Sequence, residues 1–153
     1  MKYAALALLT LAAPGLAFAG EIRSSEDVVA AMVDGVDHVD SAYVAERIDA
    51  NEDLLILDVR TEAEFDAGHI RSATHIPRGV IEFRMAGGNY DADTEIIVTC
   101  SHGYRAASVT KLLKEMGYEN VNAHRGMNAW LDDGHKVMTQ MGMMSRPART
   151  EAE

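Results

Sequence analysis

Apolar positions follow two rhythms along this chain. Leu54, Leu55, Ile56 and Leu57 are consecutive, as are Ile96, Ile97 and Val98 before Thr99. Unbroken apolar runs of this length suit strands covered on both faces, as in a parallel sheet. They predict strands over 54–57 and 95–99, and shorter apolar pieces add strands over 36–39, 74–76 and 120–123. Between these the spacing turns helical. Ala106, Val109, Leu112, Leu113 and Met116 share one face of a helix over 105–116, which Gly117 ends. Val28, Val29, Met32 and Val33 mark another over 24–34, with Gly35 as its stop. Ser41 is the expected cap of a helix reaching residue 48. Thr61 followed by Glu64 is a capping-box pattern and opens a short helix before Gly68. Helical turns are expected at 81–85 and at 127–131, the second with Trp130 facing inward. Strands that alternate with helices imply an α/β fold, here a five-stranded, mainly parallel sheet with helices on both faces.

The first residues stand apart from this pattern. Lys2 is the only charge before Glu21, an apolar stretch follows it, Pro14 and Gly15 interrupt that stretch, and Ala17-Phe18-Ala19 has the form of a cleavage site. This reads as an export signal over 1–19, too short and too broken for a membrane span. The expected organisation is then a helical extension over 20–35, one domain over 36–137 and a methionine-rich tail over 138–153. Met138, Met141, Met143 and Met144 could offer thioethers to Cu(I), but a packing segment or a disordered end is the plainer reading, and no metal site is assigned.

A formal net charge of −10 argues against nucleic acid and against anionic membrane surfaces as partners. It also means that a negatively charged substrate would need local positive groups. The chain has one cysteine, so no internal disulfide is available to it. Cys100 lies where the 95–99 strand meets the clearest helix, in Cys100, Ser101, His102, Gly103, Tyr104, Arg105. A helix N-terminus offers unpaired N–H groups and partial positive charge, and a loop curling there aims several amides at one point. Such a place stabilises a thiolate nucleophile. Gly103 permits the turn, and His102 and Arg105 add positive charge at its rim.

Three motifs in order resemble the rhodanese family. Asp58-Val59-Arg60, Glu64-Phe65, Gly68-His69-Ile70, Ala73 and Ile76-Pro77 resemble its first signature. Residues 100–105 resemble its active-site loop. Gly117-Tyr118, Val121, Arg125-Gly126, Trp130 and Gly134 resemble its closing segment. The resemblance spans about residues 36–137 and implies a sulfurtransferase without metal or organic cofactor. Cys100 would take sulfane sulfur from a small anionic donor such as thiosulfate, become a persulfide, and yield the sulfur to cyanide, a thiol or a protein acceptor. The amides of residues 101–105 would cradle the charge, Arg105 and His102 would tune substrate binding, and the Ser101 hydroxyl would donate a hydrogen bond. Four residues separate Cys100 from Arg105. The related phosphatases and arsenate reductases have one more, which suits a tetrahedral oxyanion better.

The resemblance gives Asp58 and Arg60 a structural role near the site; His69 reads as a hydrogen-bonded core residue, and Glu64 as a cap rather than an acid. Two positions depart from the family pattern. Ser72 stands where a glycine is usual, with a local effect expected. Arg125 replaces the first glycine of a pair that closes the last strand, so Arg125, with His124, is expected to add positive charge to the pocket; a surface ion pair is the alternative. Two other functions remain open on the sequence: a persulfide carrier that turns over small donors poorly, and a non-enzymatic interaction domain, against which the intact cysteine loop argues.

Overall fold

A computed structural model describes residues 22–145, so the expected export signal lies outside the described residues. In chain order the elements are α1 (Ser25–Val33), β1 (His38–Val39), α2 (Ser41–Ala50), β2 (Leu55–Asp58), α3 (Glu62–Asp66) and β3 (Thr74–His75). A 3-10 turn (Arg78–Val80) leads into α4 (Ile81–Ala86). Then come β4 (Ile96–Thr99), α5 (Tyr104–Glu115), β5 (Val121–His124), α6 (Met127–Asp132), β6 (Val137–Thr139) and β7 (Gly142–Met144). Five strands form one sheet in the order β1-β5-β4-β2-β3, and every pairing in it is parallel. The two continuous apolar runs are the neighbours β2 and β4, with Leu57 opposite Val98 and Asp58 opposite Thr99. All eight of their residues are buried, as strands covered on both faces require.

Alternation along the strands divides the core in two. Leu55, Leu57, Ile96, Val98, Val121 and Ala123 pack with Ile81 and Met85 of α4 and Ala106, Val109 and Leu113 of α5. Ile56 and Ile97 point the other way, toward Val44 of α2 and Met127 and Trp130 of α6. The N-terminal α1 lies against α5, where Lys111 Nζ donates to the Ala31 carbonyl at 2.9 Å.

Local details depart from the expected ones in two places. The cap of α2 is Asp40, whose carboxylate accepts from Tyr43 N, while Ser41 is the first helical residue and is buried. The methionine-rich segment supplies one strand and most of another in an antiparallel hairpin, β6 with β7. Met138 of that hairpin exchanges main-chain hydrogen bonds with His69, at 3.0 and 2.8 Å. A Cβ on Gly68 would meet Val137 Cγ2 at 2.9 Å, so glycine lets the hairpin close on the chain there. Among the described residues no helix is long and apolar enough to cross a membrane.

Candidate active site

Cys100 follows β4 directly, at the carboxyl end of the sheet, where open α/β folds gather their ligands. In phase with Ile96 and Val98, it faces the α4–α5 layer and is 1% exposed. The thiol is thus the floor of its loop rather than a surface group. The chain then turns into α5 through Gly103, at φ +86°. A Cβ on Gly103 would lie 3.1 Å from the His38 ring and 3.3 Å from the Arg125 carbonyl oxygen, so the turn needs glycine on conformational and on steric grounds.

The N-terminus of α6 fixes the loop from behind. Met127 N donates to the Cys100 carbonyl at 2.7 Å, and Asn128 N to the Ser101 carbonyl at 3.1 Å. These peptides are trans and planar, so the N–H groups of Ser101 and His102 point away from α6. Among the described residues, no main-chain acceptor takes the amide hydrogens of residues 101–105. Gly126 allows the close approach: a Cβ there would fall 2.6 Å from the Ser101 oxygen and 2.7 Å from the His102 nitrogen.

Side chains brace the loop from the front. The Ser101 hydroxyl donates to Glu64 Oε1 at 2.6 Å and accepts from Arg105 Nη2 at 2.8 Å. Arg105 forks onto Glu64, Nη2 to Oε1 at 2.7 Å and Nη1 to Oε2 at 3.0 Å. Glu64 also completes the capping box with Thr61. The Arg105 guanidinium, followed by the Ser101 hydroxyl and Thr61, holds the Glu64 carboxyl well below the usual carboxylate range, against a smaller opposing effect of burial. Two expected roles change as a result. The Ser101 hydroxyl is committed to Glu64 rather than free for a ligand, and Arg105 is first of all the partner of Glu64. Cys100 also touches the Arg105 guanidinium electrostatically, adding to the rise that Glu64 causes in its affinity for the proton.

His102 accepts at Nε2 from Asn128 Nδ2 at 2.8 Å and stacks near Tyr104, ring centres 6.1 Å apart. His38 Nε2 reaches the Gly103 carbonyl at 3.2 Å. Val33, Asp37, His38, His102, Tyr104 and Arg125 line an open cleft of about 540 Å³ beside the loop. Arg125 is exposed, and its side chain forms no ion pair among the described residues.

His124 does not join it. The residue is 0% exposed, with Nδ1 3.0 Å from Thr99 Oγ1 and Nε2 3.4 Å from Ser41 Oγ. Alternation explains the difference: Ala123 faces the Cys100 side and His124 the α2–α6 side. Burial lowers its pKa to about 4, so it is neutral and adds no charge to the pocket.

Asp58 and Arg60 form a buried pair at 2.6 Å, and Arg60 Nη2 also donates to the Gly68 carbonyl at 2.8 Å. They hold the β2 exit rather than reach the loop. His69 Nδ1 lies 3.0 Å from the Phe65 carbonyl and its ring stacks on Phe65. Trp130 is buried and donates to the Lys136 carbonyl. Sequence reasoning missed the second task of Glu64 and the parts played by His38, Asn128 and Gly126. Glu64 carried a readable signal in its capping box, which accounted for just one of its two tasks, and Gly126 carried one in the closing segment, which did not tell what it packs against.

A family model described as Rhodanese-like domain matches residues 40–133. The Bacillus subtilis protein YtwF is 37% identical over 95 residues, which cover 62% of this chain and 90% of its own. Thiosulfate sulfurtransferase GlpE of Actinobacillus succinogenes is 32% identical over 94 residues, covering 60% of this chain and 82% of GlpE. Among solved structures, the polysulfide-sulfur transferase homodimer of Wolinella succinogenes aligns with a TM-score of 0.62 at 23% identity, over 84% of this chain and 92% of that one. At that identity the likeness is one of fold.

Proposed function

This chain belongs to the rhodanese-like domain family, and on that footing we propose a sulfurtransferase in which Cys100 carries sulfane sulfur as a persulfide. The Cys100 thiolate attacks the outer sulfur of a donor such as thiosulfate. A new S–S bond forms to Cys100, the S–S bond of the donor breaks, and sulfite leaves with the bonding pair. An acceptor then attacks the terminal sulfur. With cyanide the products are thiocyanate and the free Cys100 thiolate, so atoms and electrons balance without an external oxidant. The chain's part is to hold charge and geometry. The amides of residues 101–105 face the anionic terminal sulfur, the task of an oxyanion hole. Glu64, Arg105 and the α6 N-terminus keep that ring in place before the substrate arrives.

What supports this reading most is a single buried thiol at the start of a loop whose amides meet no main-chain acceptor among the described residues. The decisive experiment compares thiosulfate-to-cyanide turnover of the chain with Cys100→Ala, alongside mass spectrometry after thiosulfate alone. Activity and an adduct of about 32 Da, one sulfur atom, are expected only with Cys100. Absence of both from the unsubstituted chain rejects the reading. A stable adduct with negligible turnover would instead favour a carrier that hands sulfur to a partner protein.

Thiosulfate as the donor draws support from GlpE and from the small size of the loop. Export to an oxidising compartment draws on the pattern of residues 1–19. N-terminal sequencing of the mature protein should begin at Gly20, and a start at Met1 would reject export by this route.

A further inference from the structure

The methionine-rich segment folds into the β6–β7 hairpin, yet three of its methionines stand at the surface: Met141 is 89% exposed, Met143 46% and Met144 45%. Core packing does not account for them. Register sorts the thioethers by face. Met138 and Met143 are direct partners across the hairpin, so their side chains leave it on the same side, with Cβ atoms about 5 Å apart. Met144 lies opposite Val137 and leaves on the other side. Met143 also lines a cavity of about 180 Å³ with Asp49, Arg71, Trp130, His135 and Lys136. The His135 ring stacks on Trp130, ring centres 4.2 Å apart. Trp130 Nε1 donates to the Lys136 carbonyl and His135 N to the Trp130 carbonyl, which fixes the turn that carries His135. Among the described residues, neither ring nitrogen of His135 has a hydrogen-bond partner. Nor do three His, Cys, Asp or Glu side chains gather there as a metal site. The donors around Met143 are therefore thioethers and one imidazole, a set that suits Cu(I).

We propose that the β6–β7 hairpin holds one Cu(I) ion through the thioethers of Met138 and Met143 and a ring nitrogen of His135. Met143 is the hub, since it meets Met138 by register and His135 across the cavity. Main-chain bonds from Met138 to His69 hold that strand in place before the metal arrives. All three donors are neutral, so the loaded site carries a single positive charge, which the formal net charge of −10 favours. Of the two cations on the cavity, Arg71 pairs with Asp49 at 3.5 Å, and Lys136 is exposed, where solvent and salt screen it. Trp130 orients the imidazole and is a positioning residue. The site shares no residue with the Cys100 loop and stands whether or not sulfur transfer does.

The test is equilibrium dialysis of the whole chain carrying Cys100→Ala, so that no thiolate competes for the metal. Cu(I) is supplied without oxygen, in ascorbate and dilute acetonitrile, which keeps copper reduced and the thioethers unoxidised. One copper per chain should be retained, and X-ray absorption should show two sulfur neighbours and one nitrogen. Met143→Leu should weaken retention the most, by more than about tenfold, and Met138→Leu and His135→Phe by about tenfold each. Leucine conserves volume and phenylalanine keeps the stack on Trp130, so the hairpin should survive all three changes, which circular dichroism checks. Met144→Leu, on the opposite face, should retain copper like its parent. A chain that retains no copper, retention that survives Met143→Leu, or an equal loss in Met144→Leu would overturn the assigned site. None of these results bears on sulfur transfer, which the Cys100→Ala chain does not perform.

Discussion

Glu64 and Arg105 meet as a bidentate pair across the mouth of the sheet, 2.7 Å from Nη2 to Oε1 and 3.0 Å from Nη1 to Oε2. The same carboxylate caps α3 through Thr61. One side chain therefore ties the helix after β2 to the loop after β4.

This double task makes Glu64→Gln informative. Glutamine retains a capping box, so the stability loss should stay below about 1 kcal/mol. The charge-assisted fork is lost, and the loop amides shift. We expect kcat/KM for thiosulfate to fall about 10- to 100-fold, measured beside urea unfolding; a large stability loss with unchanged turnover per folded molecule would contradict the clamp.

His124 predicts a pH dependence of stability. Its pKa is depressed to about 4 from 6.5, chiefly by burial. The unfolded chain then binds more protons than the folded one between these values, so stability is fully present above pH 6.5 and declines as pH falls toward 4. The loss reaches roughly 3 kcal/mol. The Glu64 carboxyl acts in the same direction, but only below its ordinary range. Urea unfolding at pH 7 and pH 4.5 checks this, and His124→Gln should flatten the difference.

Gly126→Ala should disable the loop. The added Cβ meets Ser101 oxygen and His102 nitrogen at 2.6 and 2.7 Å, and φ of +103° is strained for any other residue. The expected cost is about 2–4 kcal/mol of stability, with turnover down more than about 100-fold. Circular dichroism separates a folded, inactive protein from an unfolded one, and near-normal activity would show that the loop tolerates the displacement.

Ser72 is the one non-glycine residue with positive φ, +69°, among those described. Ser72→Gly should stabilise by about 0.5–1 kcal/mol, since relief of the left-handed strain exceeds the entropy cost of glycine. A thermal melt should show a rise for Ser72→Gly and none for Ser72→Ala.

The layer architecture was legible because β2 and β4 are unbroken apolar runs and α5 has a clean apolar face. Local chemistry was legible too, as at Thr61 and Glu64. What escaped reading depends on contacts between distant residues. Arg105 looked like a ligand group because nothing nearby in sequence announces a carboxylate 41 residues earlier. His124 looked like a neighbour of Arg125, but successive strand residues face opposite layers. The hairpin of β6 and β7 is built from three-residue strands too short for a periodic signal, and it is anchored by main-chain bonds to His69.

The depth of Cys100 gives its two chemical forms different reach. The bare sulfur sits under its own loop, sheltered from bulky oxidants. In the proposed persulfide the reactive atom stands one S–S bond, about 2 Å, beyond that sulfur. In that scheme donor and acceptor meet sulfur at different depths, the first at the buried Cys100 sulfur and the second one bond beyond it.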